Sequence, residues 1–151
     1  GLFACSGILF NHESPLRPER FVTQKIVRAA CRIAKGSKER LTLGRLDIKR
    51  DWGWAPEYVE AMWRMLQQSQ PDDFVIASGE THSLEDFVAA AFNAVNLDWR
   101  EHVDIDQALM RPTDLEISCA DPSLAESRLG WSAQTNMQRV VRKMVEAGRA
   151  M

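Results

Sequence analysis

Residues 10–26 read FNHESPLRPERFVTQKI, and this stretch decides the fold. It gathers an amide (Asn11), an imidazole (His12), carboxylates and the cations Arg17, Arg20 and Lys25 between two apolar patterns. Before it, residues 1–10, GLFACSGILF, are almost uncharged and suit a buried strand. After it, Val22, Ile26, Ala30 and Ile33 recur at the spacing that lines one face of a helix. The crowded loop therefore stands at the carboxyl end of a core strand and leads into a helix start. In α/β proteins ligands bind at that junction, because a helix start offers unpaired N–H groups and partial positive charge. The plainer reading is a solvated connection punctuated by Pro15 and Pro18.

With 151 residues and 45% apolar content the chain has the size and the apolar surface of one globular domain. Nineteen basic and 21 acidic side chains leave a formal charge of −2, so no overall field draws it to nucleic acid or an anionic membrane. Cys5, Cys31 and Cys119 are odd in number and far apart, which suggests neither a disulfide framework nor a zinc site and fits a reducing cytoplasm. No apolar run approaches the ~20 residues of a spanning helix.

The remaining pattern alternates strands and helices. Residues 20–35 form the first helix, closed near Gly36, and 41–43 a short strand, followed by a loop over 44–53. From Pro56 a second helix buries a stripe of Val59, Met62, Trp63 and Leu66 and ends before Pro71; Tyr58 and the phenylalanines also read as core. Residues 74–77 are a strand parallel to the first, since a helix intervenes. Ser83 and Asp86 make a capping box for a helix whose Phe87, Val88, Ala91 and Val95 face inward. Residues 102–106 alternate as an edge strand. Asp121-Pro122 opens a short helix stopped by Gly130, and Thr135 with Gln138 forms a capping box for a last helix with Val141, Met144 and Val145 in line.

The string FNHESP, Arg17, then FVTQKI resembles the loop of the GDP-mannose 4,6-dehydratase family, which belongs to the extended short-chain dehydrogenase/reductases. The resemblance continues, in the family's order, through LDIKRDWGWAPEYVEAMWRMLQQ at 46–68, DFVIASGETHSLEDFV at 73–88, RPTDLE at 111–116 and DPSLAESRLGW at 121–131. It implies an α/β fold, the last strands of a Rossmann-type parallel sheet plus a small, mainly helical substrate-binding domain, with residues 1–151 as the carboxyl-terminal part. It also implies GDP-mannose as substrate, NADP as cofactor and a homo-oligomer, dimer or tetramer.

Residue roles follow from the same resemblance, each beside a plainer alternative. Asn11 matches a contact to the sugar-nucleotide diphosphate, although alone it reads equally as an Asx-turn residue. His12 and Arg17 match contacts to NADP; alone they read as a structural histidine and a surface cation. Val22, Thr23 and Lys25 open the helix, where backbone N–H groups can meet a base or a phosphate; the resemblance makes Lys25 a guanine contact, able to donate to O6, against a solvated helix face. Arg50 matches a diphosphate contact, against a salt bridge to Asp47 or Asp51. Arg111 and Asp114 match contacts to diphosphate and ribose, against a simple ion pair. The chain departs from the family at Leu16 (usually Arg), Trp54 (usually His), Pro56 (usually Lys) and Asp114 (usually Glu).

No catalytic residue is assignable. The eight glycines form no dinucleotide-binding turn, and the sole tyrosine, Tyr58, has Met62 where a Tyr-x-x-x-Lys pair needs lysine. Glu80, His82 and His102 have no metal-ligand spacing. With no initiator Met and a first residue already in strand pattern, the expectation is the carboxyl-terminal portion of a longer enzyme, inactive by itself. Two other readings remain: a different sugar-nucleotide epimerase or reductase of the same superfamily, and a non-catalytic module binding a protein or nucleic acid through its cationic patches. An upstream Thr-x-Glu beside Tyr-x-x-x-Lys separates the first, and oligonucleotide titration the second.

Overall fold

The computed structural model describes residues 1–110 and 115–150. Among them, strands and helices alternate as β1 (Gly7–Leu9), β2 (Asn11–Glu13), α1 (Val22–Ala34), β3 (Leu41–Leu43), β4 (Lys49–Trp54), α2 (Ala55–Met65), β5 (Phe74–Ile76), β6 (Thr81–Ser83), α3 (Leu84–Asn93), β7 (Val103–Ile105), α4 (Ser123–Leu129) and α5 (Met137–Arg149). Each parallel pair encloses at least one helix in sequence, as a crossover requires. β1 pairs with β5, Gly7 opposite Phe74, and β3 pairs with β7, Leu41 opposite Val103. β4 lies between β2, parallel with Asn11 opposite Trp52, and β6, antiparallel with Lys49 opposite Ser83.

Two apolar cores result. The larger joins α1, α3 and α5 to β3 and β7, with Ile26, Val27, Phe87, Phe92, Val140 and Met144 among its fully buried side chains. The smaller packs Tyr58, Ala61 and Met65 of α2 against Phe74, Ile76, Ala125, Leu129 and Trp131. β2 and β4 run between them, with Trp52 of β4 in the larger core and His12 of β2 stacked on Tyr58 of the smaller.

Several sequence expectations hold and several are corrected. The inward residues of α3 and α5 are buried as their spacing predicts, and Ser83 with Asp86 forms a complete capping box. Gly130 ends α4 with φ of 60°, a left-handed turn that only glycine adopts without penalty. In contrast, residues 1–6 lie outside any strand and Leu2 is 96% exposed, because only residues 7–9 find a pairing partner, in β5. The 44–53 loop is in large part strand β4, whose charged residues conceal it from a propensity reading.

The α2 stripe is also corrected: Val59 and Trp63 are 61% and 62% exposed, while Tyr58, Ala61 and Met65 are buried. Glu57, Glu60 and Arg64 share one side of α2, and the apolar arc takes up more than half of the rest, so periodicity could not choose which part of that arc is buried. Phe3 and Phe21 lie outside the core as well. At α5 the cap is Asn136, whose side chain accepts from the Arg139 N–H, whereas Thr135 turns away and its hydroxyl donates to Glu57.

Candidate functional site

Side chains alternate along β2, and that alternation sorts the polar loop into two sides. Asn11 and Glu13 point into a pocket of about 500 Å³, while His12 points the other way and stacks on Tyr58, ring centroids 4.8 Å apart. The pocket volume suits a small ligand. Among the described residues its wall carries Arg17, Arg20, Lys25, Arg45 and Arg50 against a single carboxyl group, Glu13, and its floor is Leu43, Ile48 and Trp52. An apolar floor beneath clustered cations accommodates a flat ring joined to an anion.

Each cation is held by its element. Lys25, one turn into α1, donates from Nζ to the Thr42 carbonyl at 2.8 Å, which fixes its head at the wall while the ammonium retains further donors. Arg50 on β4 donates to the carbonyls of Lys49 and Leu115 at 2.8 and 2.7 Å. Arg17 donates to the His12 carbonyl at 2.9 Å and lies 4.0 Å over the Phe21 ring. No side chain caps α1 and no acid occupies its first turn, so the helix start at Val22 and Thr23 keeps its N–H groups and positive end beside the pocket.

Glu13 is the buried member, 1% exposed. Its Oε2 accepts from the Thr23 hydroxyl at 2.8 Å and stands 3.3 Å from Arg17 Nε, an ion pair without hydrogen-bond alignment. Burial pushes its carboxyl up to about 7, against the pull of Arg17 and Thr23. Asp51, equally buried, accepts from the N–H groups of Ser78 and Gly79 and from the Ser78 hydroxyl, tying β4 to the turn after β5. Burial, then Asp51 and Glu57, raise the Tyr58 hydroxyl far above the usual phenol range, so it holds its proton.

Of the residues singled out in the sequence, Asn11, Arg17, Val22, Thr23, Lys25 and Arg50 line this one pocket. His12 does not, and its ring Nδ1 is 2.8 Å from the Phe10 carbonyl. Arg111 and Asp114 lie outside the described residues. Sequence reading missed Glu13, Arg20, Arg45 and Trp52. For Glu13 the available signal was its place two residues after Asn11, hence on the same side of the strand. Among the described residues no group of three or more His, Cys, Asp or Glu could hold a metal ion.

Residues 1–144 match the family model described as GDP-mannose 4,6 dehydratase. The chain belongs to that family. GDP-mannose 4,6 dehydratase 1 of Arabidopsis thaliana is 49% identical over 146 residues, covering 97% of this chain and 40% of the relative. The GDP-mannose 4,6 dehydratase of Homo sapiens is 43% identical over 163 residues, covering 97% of this chain and 44% of the relative. The chain thus spans less than half the length of these GDP-mannose 4,6 dehydratases. Among solved structures, RMD from Pseudomonas aeruginosa complexed with NADPH superposes with a TM-score of 0.87 at 18% identity, covering 97% of this chain and 48% of that one. That likeness establishes the α/β fold of the family, with the chain corresponding to about half of the larger structure.

Proposed function

We propose that this chain is the nucleotide-gripping part of a GDP-mannose 4,6-dehydratase, which converts GDP-mannose to GDP-4-keto-6-deoxymannose. The observation that carries the reading is the convergence of Asn11, Thr23, Lys25 and Arg50, far apart in sequence, on one cationic pocket with an apolar floor. In this reading Lys25 and the start of α1 receive the guanine and Asn11 with Arg50 holds the diphosphate. Arg111 and Asp114 complete the diphosphate and ribose contacts.

The cofactor of the reading is NADP, whose nicotinamide takes a hydride from sugar C4 and returns it at C6. Arg17 fits a role beside such an anionic group, because its Nε is buried without an aligned acceptor while its guanidinium borders the pocket. Arg17 would hold one side of the cofactor from the pocket wall, while the ring of His12, the other residue matched to the cofactor, is turned to the opposite side of β2. No glycine-rich turn or Tyr-x-x-x-Lys pair occurs in the 151 residues, so proton abstraction and loss of water belong to residues outside them. Holding the nucleotide through contacts far from the reacting carbons fixes the sugar in register with those groups. The whole enzyme is read as a cytoplasmic homo-oligomer; no described helix is long and apolar enough to cross a membrane.

Calorimetric titration tests the reading. GDP-mannose is expected to bind saturably and in competition with GDP, an oligonucleotide is expected not to compete, and no keto-sugar is expected from the chain alone. Absence of GDP-mannose binding, or displacement by the oligonucleotide, contradicts it.

A further inference from the structure

We infer that Glu13 is a positioning residue whose carboxylate sets the cofactor-side cation Arg17 and the nucleotide-side helix start at Thr23 from a single oxygen. The inference rests on the function proposed above and adds to it a link between the two ligand positions.

The geometry makes the link specific. Oε2 takes the Thr23 hydroxyl at 2.8 Å and faces Arg17 Nε at 3.3 Å. Arg17 comes from the loop after β2, and Thr23 from the first turn of α1. Glu13 itself is fixed by the β-ladder, opposite Trp54 in β4, and is withdrawn from solvent. A rigid strand therefore supplies the reference point to which two residues of one pocket wall, carried by different elements, are registered. The same carboxyl is the sole acid on the pocket wall among the described residues, in a place meant for anions. By charge alone it opposes ligand binding, so a positioning role and a plain field effect predict opposite outcomes when it is neutralised.

The test uses Glu13→Gln and Glu13→Ala in the 151-residue chain, with GDP and NADP+ as separate probes in calorimetry at pH 8 and thermal melts alongside. Glutamine keeps an oxygen for Thr23 and loses the ion pair with Arg17. Glu13→Gln is therefore expected to weaken NADP+ by about tenfold and leave GDP within about twofold. Its melting temperature is expected not to fall. Glu13→Ala, lacking both contacts, is expected to weaken both ligands.

Unchanged or tighter NADP+ binding by Glu13→Gln, with wild-type binding of both probes, overturns the inference and leaves the proposed function standing. So does a lowered melting temperature with equal losses for both probes, which is the mark of a merely structural carboxyl. Failure of the wild-type chain to bind GDP overturns the proposed function, and the inference with it; binding of GDP without NADP+ overturns the inference alone.

Discussion

A buried carboxyl beside ligand-facing cations carries a stability consequence that depends on pH. Glu13 is raised from an ordinary 4.5 to about 7, first by burial, so between those values the folded chain keeps a proton that the unfolded chain has released. Protons bound more tightly when folded mean that stability falls as pH rises through this window and levels off above it, by roughly 3 kcal/mol at most. The groups facing the carboxyl are Arg17 and the Thr23 hydroxyl, with Arg20, Lys25, Arg45 and Arg50 further along the wall. Glu13→Gln should then be more stable than wild type in urea melts at pH 8 and nearly equal at pH 4.5; lower stability at pH 8 contradicts this account of the burial. Lys25 belongs to the same scale. Lys25→Ala removes a charge held at the wall by the Thr42 carbonyl, and should weaken GDP by about tenfold or more with little change in melting temperature. An unaltered Kd for GDP contradicts its role.

At the scale of elements, α2 and β4 are where tertiary partners override local pattern. Tyr58→Ala empties a fully buried site and should cost about 3–5 kcal/mol in chemical denaturation, whereas Trp63→Ala on the exposed face should cost under about 1 kcal/mol. Reversed costs would mean that the faces of α2 are exchanged. Gly53 has no room for a Cβ, which would collide with the Tyr58 ring, so Gly53→Ala should destabilise by about 1–3 kcal/mol and displace the Trp52 side of the pocket. The same two elements mark what the sequence could not reveal. α3 and α5 are apolar on one face only, so their buried residues were legible, as was the Ser83–Asp86 capping box. The apolar arc of α2 is wider than the surface it buries, and nothing within it says which part meets Phe74 and Trp131. β4, KRDWGW, is a strand because β2 and β6 flank it and because Asp51 finds the Ser78–Gly79 turn, partners 27 and 28 residues away. The binding loop was legible because its chemistry is contiguous. Glu13 was hidden because its significance depends on being buried, which no local pattern announces.

The cationic pocket rests on the larger core, whose Leu43, Trp52 and Leu84 line it, while the smaller core packs on the other side of β2, where His12 meets Tyr58. Contacts far apart in sequence are registered there through parallel pairing, Asn11 against Trp52, so that the loop before α1 and the strand before α2 form one wall. The other polar depression, between α3 and the turn at Asn96 to Arg100, has Glu85, Asp86 and Asp98 on its lining and no comparable group of cations. Of these two depressions, the cationic pocket is therefore the electrostatically favourable destination for an anionic nucleotide. The most direct measurement is a titration of the isotopically labelled chain with GDP, followed by amide chemical shifts. The account predicts saturable shifts concentrated at Asn11, Val22, Thr23, Lys25 and Arg50, with Asn93, Asn96 and Trp99 unmoved; no shifts, or shifts centred on the α3 depression, would contradict it.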